Sequence, residues 1–314
     1  MVRIDAFGSC PTLDACNRAI LLSYDTHENR LAFKQLVRFP SSCNKFAVRQ
    51  DAATGWFYSL TNPVTLAPSP TCGQRNTVVL TRSKDLISWQ TCSVVMWDDT
   101  GLGVTDSIAH TGLQYIDWRF ANRSTIVAAV RAGYNGSTTY HDANRLLLTK
   151  VDDYDSLCSG ISVTGTGFGL GVVQKGLAAF TNRGYVWEDV PAALVGLMFT
   201  RKMGGGDANI TVTVPPAATS ATLFAGVCVA EAGHNPAGLA GWTATGMSMA
   251  YTDTAKTRVT FFSKTVQAGA AAFLVENDPT WCGTIIAFRP GNGSGSDSDS
   301  GSGGGGGGGG GSTV

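Results

Sequence analysis

The sequence is poor in charge and has no excess of either sign. Charged side chains make up 15% of the 314 residues, against roughly 25% in an average globular chain, and 23 Lys and Arg balance 23 Asp and Glu. A polybasic surface for nucleic acid or lipid is therefore not expected. No run of 18 or more apolar residues occurs, so the sequence predicts no transmembrane helix.

Several motifs that carry chemistry in other proteins are also missing. There is no CxxC pair for a zinc finger or a thioredoxin-type site, and the four His residues are too far apart for HExxH. The folded body has neither a GxSxG elbow nor a complete GxGxxG or Walker loop. The acidic stretches at 98–99 and 152–155 do not match an EF-hand. We therefore predict no metal and no cofactor.

Cysteine is present in an even number, which suits disulfides. The connectivity of eight Cys cannot be deduced from sequence, and buried free thiols stay open as an alternative. N-glycosylation sequons begin at Asn122, Asn135, Asn209 and Asn292. The even cysteine count and the sequons favour an extracellular protein. Because the sequence does not begin with a signal peptide, we expect that the true N-terminus lies upstream. Among the closer pairings in sequence are Cys10 with Cys16, Cys72 with Cys92 and Cys228 with Cys282.

Short strands separated by turn residues dominate the chain. Runs rich in β-branched and aromatic residues recur every 10 to 30 residues, which predicts an antiparallel all-β fold. Of 39 Gly, 13 fall in the last 24 residues, so we predict a disordered Gly-rich tail at 291–314. The Gly-rich stretch 161–184 is predicted as a linker. It separates a first β unit at 1–160 from a second at 185–290, the size of one β-sandwich.

The sequence SKDLISW at 83–89 predicts a locked hairpin, in which the Asp85 carboxylate accepts turn N–H bonds and the Trp89 indole covers them. It resembles the tryptophan hairpin in the blades of sialidase-like glycosidase propellers. Five further stretches resemble, in the same order, the late blades of a microbial exo-sialidase-like family. They are NKFAVR (44–49), WFYSLTNP (56–63), GLQYIDWRF (112–120), VAAVRAGY (127–134) and YHDANRL (140–146).

The resemblance implies a partial propeller of about three blades and hydrolysis of terminal sugars of glycans. Blades run roughly 40 to 50 residues, so the first unit is too short for a closed propeller. We expect the missing blades upstream, and with them part of the arginine set that clamps a sugar acid. The oligomeric state is left open.

The candidate catalytic residues are Tyr115, Asp117, His141 and Asp142. Sialidases use Tyr as nucleophile where most glycosidases use two carboxylates. Alternation along a strand puts Tyr115 and Asp117 on one face, where both can point into a cavity. Glu28 is the only Glu before Glu188, so a carboxylate catalyst in the first unit would be an Asp.

Further candidates are predicted to bind the substrate without taking part in the chemistry. Arg131 ends an apolar strand and is either a substrate clamp or a partner of Asp117. Asn144 follows the His-Asp pair and can bind sugar hydroxyls, and Lys45 and Asn62 are further candidates, with Arg49 beside them. In the second unit, Trp242 in a Gly-flanked loop could stack on a sugar ring or pack in the core.

Two rival functions remain at this point. The first is a non-catalytic glycan-binding or cell-surface interaction protein that kept the blades without the active site. The second is a furanosidase-type propeller enzyme, because a similar hairpin occurs there. In all three cases the expected partner is a glycan or glycoconjugate, recognised through hydroxyls and aromatic stacking.

Overall fold

The computed structural model describes residues 1–3, 9–41, 44–69, 71–215, 220–228, 239–270, 272–275, 277–278 and 281–289. The tail predicted at 291–314 lies outside the described residues. The prediction of an all-β fold is confirmed, because antiparallel sheets form both halves of the chain. No helix in the described ranges is long and apolar enough to cross a membrane.

The first half forms three antiparallel sheets whose strand order follows the chain. Each is a meander of three or four strands, the kind of sheet from which propeller blades are built. The sialidase-type propeller itself stays a prediction. Sheet one contains β1 (Val2–Arg3), β2 (Arg18–Asp25) and β3 (Arg30–Arg38); sheet two contains β4 (Val48–Gln50), β5 (Phe57–Thr61), β6 (Thr77–Ser83) and β7 (Gln90–Trp97); sheet three contains β8 (Gly112–Phe120), β9 (Ile126–Gly133) and β10 (Arg145–Val151).

Short helices connect and cover these sheets. They are α1 (Leu13–Cys16), α2 (Val104–His110) and α3 (Tyr154–Ser159). Sheets two and three share one hydrophobic core, in which Tyr58, Leu80, Trp118 and Val130 are each at most 2% exposed. Burial of side chains of this size contributes roughly 1.5–3 kcal/mol each, so the two sheets form one packed body.

The hairpin predicted at 83–89 is present between β6 and β7. One carboxylate oxygen of Asp85 accepts the backbone N–H of Ile87 at 2.8 Å and of Ser88 at 2.7 Å. These hydrogen bonds hold the pKa of Asp85 at about 2. The Trp89 indole N–H donates to the carbonyl of Leu86 at 3.1 Å and closes the turn.

The second half forms a three-stranded sheet, β11-β15-β19, and a seven-stranded sheet, β12-β14-β20-β16-β18-β17-β13. A single 3-10 turn, Ala192–Leu194, lies among the described residues of this half. The strands are β11 (Ser162–Thr166), β12 (Phe168–Val172), β13 (Trp187–Glu188), β14 (Met198–Lys202), β15 (Asn209–Thr213), β16 (Ala221–Cys228), β17 (Thr243–Tyr251), β18 (Arg258–Val266), β19 (Phe273–Val275) and β20 (Thr284–Phe288).

The prediction of a linker at 161–184 is wrong, because β11 pairs with β15 and β12 pairs with β14. The glycines there permit close packing of strands. A Cβ on Gly165 would lie 1.7 Å from the Asn209 carbonyl, and one on Gly171 would lie 2.6 Å from the Phe199 ring. Their role is therefore steric, whereas the composition had indicated flexibility.

The two halves share a hydrophobic core. Val79 and Val94 of sheet two lie in the same buried cluster as Val172 and Met198 of the seven-stranded sheet. The Val94 backbone N–H also points at the Met198 sulfur, 3.3 Å away. The second half is thus packed against sheet two.

Disulfides cross-link both halves. Cys10–Cys16 and Cys228–Cys282, two of the closer pairings in sequence, are bonded. Cys72 and Cys92 are not bonded to each other, because Cys92 is bonded to Cys158 and ties β7 to α3. Cys72 is disulfide-bonded as well. No cysteine in the described part of the chain is a free thiol.

Candidate functional site

The candidate site lies at a distortion in β8. The register between β8 and β9 shifts between Gln114 and Asp117, and Tyr115 has a φ of 50°. A bulky residue at positive φ is a genuine outlier, costs about 1–3 kcal/mol and is commonest at functional sites. Tyr115 therefore stands out as a residue that the surrounding structure holds in place.

Three cations lie around the Tyr115 ring. Measured to the ring centroid, Lys45 Nζ is at 4.7 Å, Arg131 Cζ at 5.1 Å and Arg75 Cζ at 5.5 Å. Each is within the range of a cation–π contact. The Tyr115 hydroxyl lies 3.3 Å from His141 Nε2. We call Lys45, Arg75, Tyr115, Arg131 and His141 the Tyr115 cluster.

The cations of this cluster have no carboxylate partner within 4 Å among the residues that the structure describes. Arg75 is only 9% exposed and donates instead to neutral amides. Its Nε donates to Asn44 Oδ1 at 2.9 Å, and its Nη1 donates to Gln114 Oε1. Positive charge is thus concentrated here without a paired anion among the described residues, which is the electrostatic condition for binding an external one.

Gln114 holds the cluster together. It is 1% exposed, and its side-chain amide donates to the carbonyls of Tyr140 at 2.9 Å and His141 at 3.2 Å. Arg131 Nη2 donates to the same His141 carbonyl at 3.0 Å. These bonds fix the loop that carries His141 against β8.

Close packing at Gly112 completes this arrangement. A Cβ on Gly112 would lie 1.9 Å from the Tyr140 carbonyl oxygen, so only glycine, which has no Cβ, fits at this position. The Tyr140 backbone N–H donates to the Ala109 carbonyl at 2.7 Å, at the end of α2. Arg75 Cζ lies 5.3 Å from the Tyr140 ring centroid, so its guanidinium contacts both Tyr140 and Tyr115.

Asp117 does not join the cluster, contrary to the prediction that it shares a cavity with Tyr115. The bulge breaks the simple alternation on which that prediction rested. The Asp117 carboxylate is 82% exposed and pairs with Arg49 Nη2 at 2.9 Å. The alternative that Arg131 is the partner of Asp117 is wrong, because Asp117 pairs with Arg49 and Arg131 contacts the Tyr115 ring. Arg49 also donates to the Trp118 carbonyl.

Two other predicted residues have structural roles. Asn62 is 1% exposed, and its amide donates to the carbonyls of Thr77 and Leu113 at 2.9 and 2.8 Å, so it cannot reach a substrate. Asn144 pairs with the backbone of Tyr134 through both its oxygen and its nitrogen, at 3.0 and 2.7 Å. The hydrogen bonds of Asn62 link sheet two to sheet three, and those of Asn144 close the β9–β10 hairpin.

The remaining predicted residues lie on the surface or beside the core. Asp142 is exposed next to His141 and accepts a hydrogen bond from the Thr139 hydroxyl at 3.0 Å. Trp242 is half-buried, packs against the core of the second half and has Lys264 Nζ 5.8 Å from its ring. The structure therefore brings Lys45, Tyr115, Arg131 and His141 together and leaves Trp242 apart.

The sequence reasoning missed Arg75, Gln114 and Tyr140. Arg75 stands in a loop before β6, and its amide partners are 31 and 39 residues away in the chain. No local motif signals such a contact. Tyr140 and Gln114 lie inside stretches that carry the family resemblance, which was the available signal. Among the described residues no three His, Cys, Asp or Glu side chains are grouped as metal ligands.

Comparison with known proteins adds little to this picture. No protein-family model and no curated protein matches the chain. Among solved structures it is similar to a β-glucuronidase from glycoside hydrolase family 2, with a TM-score of 0.31 and 8% sequence identity. The match covers 80% of this chain and 38% of that chain. The chain thus spans well under half of that enzyme's length, and a likeness at this level carries no argument about activity.

Proposed function

We propose that the protein recognises an acidic sugar at the end of a glycan, and that the Tyr115 cluster binds the sugar's carboxylate. The observation that carries this proposal is the convergence of Lys45, Arg75 and Arg131 on one tyrosine ring without a carboxylate partner among the described residues. An arginine binds a carboxylate through charge-assisted hydrogen bonds, which are about twice as strong as neutral ones.

The aromatic groups of the cluster suit the rest of the ligand. Tyr115 and Tyr140 flank the Arg75 guanidinium and present ring faces and hydroxyls beside the cationic centre. A sugar acid has an anionic group, apolar C–H faces and hydroxyls, and each of these finds a matching group here. The chain has no net charge, so it offers no general attraction for anions. The local concentration of positive charge at the cluster instead suits a ligand with one anionic group.

Hydrolysis of the sialidase type is the second candidate. It is favoured by the 3.3 Å contact between the Tyr115 hydroxyl and His141 Nε2, because a hydroxyl beside an imidazole is a nucleophile with its base. In this mechanism the Tyr115 oxygen attacks the anomeric carbon and its phenolic proton passes to His141, while the protonated form of Asp142 gives its proton to the leaving alcohol. Water then attacks the anomeric carbon and gives a proton to the Asp142 carboxylate, and Tyr115 leaves with the proton held by His141. The furanosidase alternative has no such observation, since Asp117 is paired with Arg49.

Titration calorimetry with N-acetylneuraminic acid, glucuronic acid and galactose tests the binding proposal. We expect the two acids to bind and galactose not to bind. Arg131→Gln should weaken binding of the acids about tenfold or more, the cost of one charge-assisted hydrogen bond. Arg119→Gln is the matched control, because Arg119 is exposed on the same sheet outside the cluster. Equal binding of galactose, or no binding of either acid, would refute the proposal.

A fluorogenic aryl sialoside separates binding from turnover. Release of the aryl group by the wild type and its loss in Tyr115→Phe would support hydrolysis. Binding without release would support the glycan-binding function alone. We further propose an extracellular location, because disulfides of the kind seen in both halves persist in oxidising compartments.

A further inference from the structure

A cleft of about 360 Å³ lies between the first two sheets and the strands β11, β12 and β14. This volume falls in the range of pockets that bind small organic molecules, roughly 300–1,000 Å³. The cleft does not include the Tyr115 cluster. Its lining mixes aromatic, aliphatic and polar side chains, among them Phe39, Trp89, Thr91, Phe168, Leu170 and Arg201.

Arg201 is the unusual member of this lining. It is 7% exposed, and its Nε has no hydrogen-bond partner within the described part of the chain. Its guanidinium forms no ion pair with any residue that the structure describes. A buried cation without a partner is costly to the fold. Burial lowers the pKa of Arg201 to about 10, so the group is still charged at neutral pH.

The other charged groups near the cleft are already paired. Asp14 and Arg38 line its rim and form an exposed ion pair with each other. Asp98 and Arg201 both line a smaller adjoining cavity. The Asp98 carboxylate accepts hydrogen bonds from Thr100 and Thr111, at 2.7 Å from each hydroxyl. Of the described charged residues that line the cleft, Arg201 is therefore the one without a partner.

The aromatic walls indicate the body of the ligand. Phe39 and Trp89 pack edge to face, with centroids 4.8 Å apart, which holds the Trp89 ring in place. Trp89 and Phe168 are half-buried and both line the cleft, so their rings offer apolar surface to a bound molecule. The combination of one buried cation and rigid ring surfaces fits a carboxylic acid with a ring-shaped body.

We propose that this cleft binds a small ring-bearing carboxylic acid, with its carboxylate on Arg201 and its ring against Trp89 and Phe168. The acid can be aromatic or a sugar acid, because both present an anionic group beside an apolar face. The site is separate from the Tyr115 cluster, so its occupancy does not depend on the proposed function.

Calorimetry and thermal unfolding of the full chain test this site. The probes are benzoate and glucuronate, with benzyl alcohol and methyl glucoside as neutral counterparts. We expect at least one acid to bind and to raise Tm with concentration, and its neutral counterpart to do neither. Binding of benzoate alone identifies an aromatic acid, and binding of glucuronate that survives Arg131→Gln identifies a sugar acid at this cleft.

Arg201→Gln should weaken that binding about tenfold or more, since it removes a charge-assisted contact. Without ligand its Tm should equal or exceed that of the wild type, because the variant removes an uncompensated buried charge. Arg183→Gln, at an exposed site outside the cleft, is the matched control. If Arg201→Gln fails to fold, the comparison of acids with neutral counterparts in Arg131→Gln, which disables the Tyr115 cluster, still decides the matter. Equal effects of acid and neutral probes, or unchanged binding in Arg201→Gln, would overturn the proposal.

Discussion

Gly112→Ala is the sharpest perturbation of the candidate site, because it changes the site's support without replacing any of the side chains proposed to bind the ligand. A Cβ at position 112 would lie 1.9 Å from the Tyr140 carbonyl oxygen, and Cβ contacts under 3.0 Å essentially do not occur. The loop and β8 must therefore separate by at least about 1 Å. The obstructing atom belongs to the backbone, so no side chain can rotate away from it.

This displacement breaks specific hydrogen bonds. The Gln114 amide donates to Tyr140 at 2.9 Å and to His141 at 3.2 Å, and an added 1 Å takes either contact outside hydrogen-bond range. Overpacking of a tight contact costs about 1–3 kcal/mol. His141 would leave Tyr115, and a binding site loosened by about 1 Å loses most of its affinity. We expect at least a tenfold loss of affinity for an acidic sugar.

Urea unfolding measures the stability of this variant and calorimetry its affinity. Gly184→Ala is the control, because a Cβ there meets nothing within 4 Å. The control should be neutral, or more stable by about 0.4–1 kcal/mol, and should bind normally. A Gly112→Ala protein with the stability and the affinity of the wild type would refute the assignment of this loop to the site.

Two further predictions concern the framework. Asp85→Ala should lower Tm at neutral pH. The turn amides hold the pKa of Asp85 in the folded state at about 2, whereas the pKa in the unfolded chain is near 4. The ionised carboxylate therefore stabilises the fold fully above about pH 4, and this stabilisation is lost as the pH falls toward 2. Thermal unfolding followed across that range should show the two proteins converging in acid, and a constant gap would contradict this. Replacing both Cys92 and Cys158 by Ser opens a link with a sequence separation of 66 and should cost about 4 kcal/mol in urea unfolding. A loss below about 1 kcal/mol would show that the unfolded chain is not restrained in this way.

Local features of this fold could be read from the sequence. The hairpin at 83–89 is one example, because the bonds that define it join Asp85 to residues two and three positions further on. The strands of the first half are another, since β-branched runs between turn residues determine them locally. The linker at 161–184 shows the limit, because a glycine that loosens an isolated chain also lets two strands approach closely.

The site depended on contacts that no local pattern encodes. Tyr115 was found from its residue type, but the bulge that separates it from Asp117 follows from how β8 pairs with β9. As a polar residue in a stretch that carries the family resemblance, Asn62 is predicted from the sequence to bind substrate. Its amide instead bonds to Leu113, 51 residues away, and this contact is visible only once sheets two and three are packed together.

The net charge of zero conceals how the charges are distributed. Composition indicated a partner recognised through hydroxyls and stacking, since positive and negative residues balance. In the structure, several carboxylates form internal ion pairs, such as Asp117 with Arg49 and Asp155 with Arg82, and each pair uses one cation and one carboxylate. The balance is therefore global and not local, because the cations of the Tyr115 cluster and Arg201 have no carboxylate within 4 Å among the described residues. A neutral chain can therefore carry concentrated positive sites, and a balanced composition does not exclude a ligand that bears a carboxylate.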